Sequence, residues 1–296
     1  MRYPEKQKSW GWVVATYVFL AGTGGGTFLS SFILESMGKH ELIARIGALL
    51  GPVLVLIGTF FLLADLGSVT RVYRLFSTSS AFVASWMIRG TWILTIFIIF
   101  GLAYSLPSFE LFEWLPWSKV SGVGQSIGIV AALLSALVVI YPGFLFSAAR
   151  GIPFWNTAAL PPLFFLSSLE AGIAVLAIIA LFFTANFGVD VFHQLGAADV
   201  GLMFIELIVL GAYLDTIRHA SISAAASVRL LINPLFIGGA VTIGLLLPLS
   251  LLLYSVFITD AFLLYILVGV TSVFVLFGGL LLRYCITRAG VYVLIH

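Results

Sequence analysis

The sequence predicts an all-α integral membrane protein with eight transmembrane helices, and three observations carry that prediction. Of 296 residues, 61% are hydrophobic and only 9% charged, against about 45–50% apolar and ~25% charged residues in soluble domains. The mean hydropathy is +1.18. Apolar stretches follow one another almost end to end, each near the ~20 residues that a bilayer span requires, with short polar or Pro/Gly-rich connections between them.

The first span is expected from Trp12 to Leu34. Met1 to Ser9 leads straight into it, and the segment is too long for an h-region and lacks a small-residue cleavage site, so the helix is expected to be retained. It carries Gly22-Thr23-Gly24-Gly25-Gly26, where missing side chains admit either a neighbouring helix or a flat ligand. The second span, Arg45 to Leu66, ends on Ala64-Asp65-Leu66-Gly67 and is followed by Arg71 and Arg74. A carboxylate in apolar surroundings is costly unless paired, so Asp65 is either a functional group or a partner of Arg71, Arg74 or Arg89. The third span runs from Trp86 to Leu106, and the connection Pro107 to Val123 is long enough to cap a cavity mouth.

The fourth span, Gly124 to Ala149, contains Tyr141-Pro142-Gly143-Phe144-Leu145 and is followed by Arg150. Pro142 removes a backbone donor, so a kink is expected beside the Tyr141 hydroxyl. An aromatic belt at the membrane interface accounts for Trp155 in Pro153-Phe154-Trp155-Asn156. It does not account for Tyr141, which lies roughly 12 Å inside the Arg150 end at the helical rise. The fifth span, Ala158 to Thr184, places Glu170 about 18 Å in, near mid-membrane. After the connection Ala185 to Ala198 comes the sixth span, Asp199 to Arg218, with Glu206 and, two turns on, Asp215. Glu170, Glu206 and Asp215 are either proton-relay groups or neutral acids hydrogen-bonded within the protein. Asn233 to Ile258 and Ala261 to Arg283 complete the eight.

Residue usage also excludes classes. One cysteine, Cys285, is too few for a disulfide framework or for an iron–sulfur cluster held by this protein alone. His40 and His193 are read as loop residues, His219 as a helix end and His296 as terminal, so no intramembrane pair is expected to clamp a haem; no metal site is expected either. The net charge of +2 gives no footprint for nucleic acid, and no strand-to-helix glycine motif signals nucleotide chemistry. Of the Lys and Arg residues, Arg2, Lys6, Lys8, Arg71, Arg74, Arg89, Arg150, Arg218, Arg229, Arg283 and Arg288 fall on the face carrying both termini, and only Lys39, Arg45 and Lys119 on the other. That bias places both termini in the cytoplasm of an inner-membrane protein, although a docking surface for an acidic partner produces the same asymmetry.

Taken together, Tyr17-Val18-Phe19-Leu20-Ala21-Gly22 with the glycine run, Asp65-Leu66-Gly67 with its arginines, Ser85-Trp86-Met87, Gly90-Thr91-Trp92, and above all Tyr141-Pro142-Gly143-Phe144-Leu145 through Pro153-Phe154-Trp155-Asn156 to Leu166-Ser167-Ser168 resemble the NrfD/PsrC family of polysulfide reductase-like membrane subunits. The resemblance covers the first five spans and thins over the last three, apart from Gly278-Gly279 and Arg283-Tyr284. It implies two four-helix bundles, residues 1–150 and 151–296, with a quinone held in the first; Glu170, Glu206 and Asp215 then become candidates for a proton route in the second. It also implies no haem, menaquinone or ubiquinone as cofactor, and electron exchange with a ferredoxin-like iron–sulfur subunit and, through it, a catalytic redox subunit. By resemblance Tyr141 donates a hydrogen bond to a quinone carbonyl and Gly22 to Gly26 form pocket wall; in the mechanism this suggests, Asp65 is expected to exchange protons, and Arg71, Arg74 and Arg150 to orient an anionic partner surface. Where some members carry an amide in the first helix, this sequence has Thr23 and glycines, which leaves the ring's second hydrogen bond unassigned.

A rival from another class is a secondary transporter or proton-coupled carrier, motivated by the midplane acids and by a faint echo of Phe28-Leu29-Ser30-Ser31 in Phe165-Leu166-Ser167-Ser168. Matching helix breaks in the two halves would support it, but Pro142 and Pro248 do not correspond under a four-plus-four repeat.

Overall fold

A computed structural model of the protein describes residues 6–7, 10–66, 85–112, 114–149, 151–184 and 187–292, with the side chains of Asp65 and Leu66 left aside. The helices are α1 (Trp12–Ser36), α2 (Glu41–Leu66), α3 (Trp86–Ser105), α4 (Gly122–Ser147), α5 (Leu160–Phe182), α6 (Asp190–Ala220), a short α7 (Ile222–Leu231), α8 (Leu235–Ser255) and α9 (Ala261–Arg288). Eight of them, all but α7, are long and apolar enough to cross a membrane. Interior and exterior are both apolar here, so amphipathic periodicity is weak, and these helices form because each satisfies its own backbone where no water is available.

Several starts are fixed by caps that accept otherwise unpaired N–H groups. Ser121 accepts from Gly124 N at 3.1 Å, Ser221 from Ala224 N at 3.1 Å, and Asp260 from Leu263 N at 3.0 Å. α4 continues as a helix through Pro142. α8 is wound as a π-helix over Leu235–Leu246 and as an α-helix over Leu247–Ser255; the wide winding ends where Pro248 offers no N–H to the turn before it.

Three boundaries differ from the sequence expectation. α6 starts at Asp190 rather than Asp199, so the connection before it is short and His193 is helical, not in a loop. α9 runs to Arg288, a turn beyond Arg283. α7 was not foreseen: at ten residues it falls below the length of a span, and its apolar content merged with the next segment.

α1 packs against α2, α4, α5 and α9, and α5 packs against α1, α4, α6 and α9. These two helices form the central seam. Around it α2 contacts α3, α3 contacts α4, α8 contacts α9, and α6 contacts the second half of α8. Close approach at the seam depends on glycine: a Cβ on Gly26 would overlap the Ser168 carbonyl of α5, and one on Gly172 would overlap the Gly26 backbone. On another face of α1, a Cβ on Gly24 would lie 2.5 Å from the Gly51 carbonyl of α2. Small residues that let backbones touch are the usual glue of membrane helices.

Both ends meet on one face. Lys6 bridges Val291, Gln7 donates to the carbonyls of Trp10 and Thr287 at 2.8 Å, and Trp10 stacks on Trp155 with centroids 5.0 Å apart. Trp155 is accordingly buried, its indole N–H donating to Ile286 O at 3.0 Å. That corrects the belt reading: Trp155 staples the α4–α5 connection to α9.

Candidate functional site: a buried phenol pair and a buried acid cluster

Tyr141 projects from α4 into the first four helices and is buried, its ring lying directly over Gly90 of α3, where any side chain would overlap it. The hydroxyl approaches that of Tyr17 on α1. Tyr17 is fully buried, and among the described residues its hydroxyl has no partner of hydrogen-bonding geometry. Further along α1, the Thr23 hydroxyl is also buried and unpartnered. Buried hydroxyls normally find partners, so two orphans on the helix with the glycine run mark an incomplete polar site. The glycines themselves have several neighbours: Gly22 and Gly26 face Ser168, Gly24 faces Gly51 and Val55, and Gly25 faces Val139 and Ser135.

Around this pair, Arg89 lies 4.8 Å over the Trp86 ring, and Trp86 stacks on Phe144 at 5.2 Å. Asp65 occupies the last turn of α2; its side chain, and Arg71, Arg74 and Arg150, lie outside the described residues.

The second constellation sits where α5, α6 and α9 converge. Glu170, Asp199, Glu206 and Arg283 are all buried, and Arg283 is fully so. Arg283 donates through Nη1 to Ser167 Oγ at 3.1 Å and Gly279 O at 2.9 Å, and through Nη2 to Ser168 Oγ at 2.6 Å. Its plane also lies 5.7 Å from the rings of Phe19 and Phe164. The Glu170 and Glu206 carboxyls adjoin each other, and Glu206 also adjoins Ser167. Glu170 Oε1, Asp199 Oδ1 and Arg283 Nε have no hydrogen-bond partner. A cavity of about 20 Å³, lined by Ser167, Glu170, Glu206, Gly244 and Gly279, is large enough for one water, which needs ~10–15 Å³.

Of the sequence candidates, the structure brings Glu170 and Glu206 together. Asp215 does not join them: its side chain is 76% exposed, and its carboxylate lies 3.6 Å from the His219 imidazole. Arg283, counted with the surface cations, belongs to the interior and adds nothing to the charge of either face. Three participants were missed. Asp199 was read as the start of a span, yet it stands about two turns before Glu206 along one helix face. Ser167 and Ser168 stood out only as part of a longer motif, with no role of their own.

At the opposite end of the first four helices, Glu35 accepts from Lys119 Nζ at 2.6 Å and from the Tyr104 hydroxyl at 3.0 Å, and Lys119 lies 4.6 Å over the Tyr104 ring. Burial pushes the Lys119 ammonium below its ordinary pKa, against the opposing pull of Glu35. Lys119 and Val120 cap a cavity of about 430 Å³ there, as the length of the Pro107 to Val123 connection suggested.

Fold and sites together define a multi-pass membrane protein of eight helices with two separate polar centres inside its apolar interior. The family described as Polysulphide reductase, NrfD matches residues 3–295, and the protein belongs to it. It is 29% identical over 306 residues to the C subunit of polysulfide reductase from Wolinella succinogenes, an alignment that takes in 95% of this sequence and 94% of the other. It is 27% identical to protein NrfD of Escherichia coli K12 over 191 residues, 58% of this sequence and 59% of that one. The NrfD homolog of Haemophilus influenzae is 27% identical over 320 residues, 95% and 94% of the two sequences.

Proposed function

We propose that this protein is the haem-free, quinone-reactive membrane subunit of a multi-subunit oxidoreductase in the inner membrane, both termini cytoplasmic, exchanging electrons with an iron–sulfur partner. The observation that carries the reading is the phenol pair. A quinone carbonyl is an acceptor only, and Tyr17 offers a buried, unpartnered hydroxyl beside Tyr141. The residues present therefore fit the group, and Tyr17 supplies the second hydrogen bond that Thr23 and the glycines left unassigned.

A quinone or quinol bound there supplies two-electron, two-proton chemistry. Tyr141 and Tyr17 orient the ring by donating to its oxygens. Gly90 gives the Tyr141 ring its place, and Gly22 to Gly26 hold α1 close to α2, α4 and α5 so that the phenols meet. Asp65, in the last turn of α2, exchanges protons between the ring oxygens and the aqueous face. Arg71, Arg74 and Arg150 would orient the partner, whose clusters would exchange electrons between this site and a catalytic subunit; the name of the Wolinella relative, one lettered part of a reductase, accords with assembly in a complex.

Residues 1–150 serve as the quinone-binding unit and residues 151–296 as the proton route. Glu170, Glu206 and Asp199 relay protons past Arg283, through the one-water cavity, and Asp215 serves at its exposed end. The buried, incompletely satisfied acids support this part, since intramembrane ionisable groups mark ion pathways. Moving one charge across ~100 mV takes about 2.3 kcal/mol, the scale on which such a route couples to the membrane potential.

The test is to purify the native complex, identify the subunits that accompany the protein, and measure oxidation of a quinol analogue by wild type, Tyr141→Phe, Tyr17→Phe and Asp65→Asn. The expected result is a co-purifying iron–sulfur subunit and turnover lowered about a hundredfold in Tyr141→Phe. Absence of such a subunit, together with full turnover in all three variants, overturns the proposal.

A further inference from the structure

On the face where the two ends of the polypeptide meet lies a cavity of about 470 Å³, between the N-terminal segment, the α7–α8 junction and the end of α9, with no part in the chemistry above. Its polar lining is Lys6, Asn233, Tyr284 and Arg288, its apolar lining includes Leu230 and Leu235, and among the described residues no Asp or Glu contributes. Lys6 is held in place by its backbone bridge to Val291, and Arg288 Nη1 donates to the Tyr284 hydroxyl at 2.7 Å. The two cations thus come from opposite ends of the sequence and are fixed on one cavity. Arg229 adds a third positive charge in the last turn of α7.

The surroundings say what kind of anion fits. α7 is ten residues long, about 15 Å at the helical rise and half the thickness of the hydrocarbon core. Ile222 is 88% exposed, and Leu230, Ile232 and Leu235 are each more than two-fifths exposed. An apolar strip therefore begins at the rim of the cationic cavity and continues down the outer side of α8, where Ile237 is also exposed. A soluble anion would use the cations and leave that strip idle. An amphiphile with a phosphate head and acyl tails uses both.

We propose that this cavity is a binding site for an anionic phospholipid. The phosphate lies between Lys6 and Arg288, with Tyr284 and the Asn233 amide as neutral donors, and an acyl tail runs along Leu230, Ile232 and Leu235. Basic pockets between transmembrane helices at the membrane surface are the usual form of such recognition. Because the site joins the N-terminal segment to α7, α8 and α9, lipid binding adds to the Gln7 hydrogen bonds and the Lys6 bridge that tie that segment to the end of α9.

The experiment uses the purified full-length protein in its native complex, placed in nanodiscs of phosphatidylcholine with a minority of phosphatidylglycerol; bound lipid is counted by native mass spectrometry after gentle release. Wild type is expected to retain phosphatidylglycerol over phosphatidylcholine. Lys6→Gln/Arg288→Gln is expected to lose about thirtyfold of that preference, about fivefold per cation. Lys39→Gln, on the other face, keeps it. Arg288→Lys, which preserves the charge, restores about fivefold of it in the Lys6→Gln background. Absence of preference in wild type overturns the proposal whether or not the double variant folds. Inorganic phosphate that displaces phosphatidylglycerol at millimolar concentration would make this a free-anion site and overturns it too. So does cross-linking of Lys6 to a protein subunit of the complex that excludes the lipid.

Discussion

Arg283 carries a guanidinium into a fully buried position in the interior. Its Nη atoms are satisfied by Ser167, Ser168 and Gly279, and Glu206 and Glu170 lie near enough to feel its charge. Leaving a buried hydrogen-bonding group without its partner typically costs about 1–3 kcal/mol, and Arg283 serves three such groups. Arg283→Gln is therefore expected to lower the unfolding temperature of the detergent-solubilised protein strongly. Arg283→Lys should lower it less, since the charge survives while the fork that reaches two serines does not. Equal losses would mean that the fork geometry, not the charge, holds the cluster.

A second prediction at this scale separates Tyr141 from its support. Gly90→Ala leaves every candidate chemical group in place but drives a methyl into the Tyr141 ring. Misplacement by about 1 Å can cost ~10²-fold in rate, so quinol turnover should fall about a hundredfold while the fold persists. Gly11→Ala, with open space around the added carbon, is the matched control and should be silent. Tyr141 and Glu206 were legible in the sequence because an isolated polar group in an apolar run stands out. Tyr17 was not, since a tyrosine in the second turn of a span is indistinguishable from an interface anchor until its hydroxyl is seen to lack a partner. Arg283 was misread for the same reason: near a helix end, a buried arginine and a surface one look alike.

Among the elements, α1 shows what a sequence withholds. Its glycine run was readable as a place of close approach, but not which neighbour each glycine admits. The helix turns about 100° per residue, so the glycines face α5, α2 and α4 in turn. That assignment needs the positions of three other helices. The eight spans were legible because the bilayer fixes their length and their lack of charge. The start of α6 was not, because Asp190, His193 and Gln194 break the apolar run without breaking the helix. Gly26→Ala is the sharpest test of the seam. The added methyl meets the Ser168 backbone, which cannot rotate away, and overpacking of this kind costs about 1–3 kcal/mol or more. The expected outcome is a lower melting temperature and a shift of Glu170 on α5 relative to α1, read as lost quinol-linked activity. The same substitution at Gly188, which faces open space, should change neither.

Over the whole molecule, an even number of spans returns the polypeptide to the side on which it starts, and the Lys6 to Val291 bridge brings the two ends together there. Orientation then rests on which face carries the cations. With Arg283 withdrawn into the interior, the face of the two ends still holds most of the Lys and Arg, while Lys39, Arg45 and Lys119 remain opposite. Two of those three are already neutralised: Arg45 pairs with Glu41 at 2.8 Å and Lys119 with Glu35 at 2.6 Å. Insertion follows the number of Lys and Arg rather than net charge, so the proposed placement of both ends in the cytoplasm rests on the count and not on these pairs. Labelling can decide it with little engineering, because the one native thiol, Cys285, is buried and gives a low background. A membrane-impermeant maleimide applied to cells with a permeabilised outer membrane should modify Lys39→Cys and spare His219→Cys, two exposed positions on opposite faces. Disrupting the inner membrane should expose the second. The reverse pattern would put Lys6, Arg229 and Arg288 on the outer side, and the asymmetry of charge would then belong to a docked acidic partner rather than to insertion.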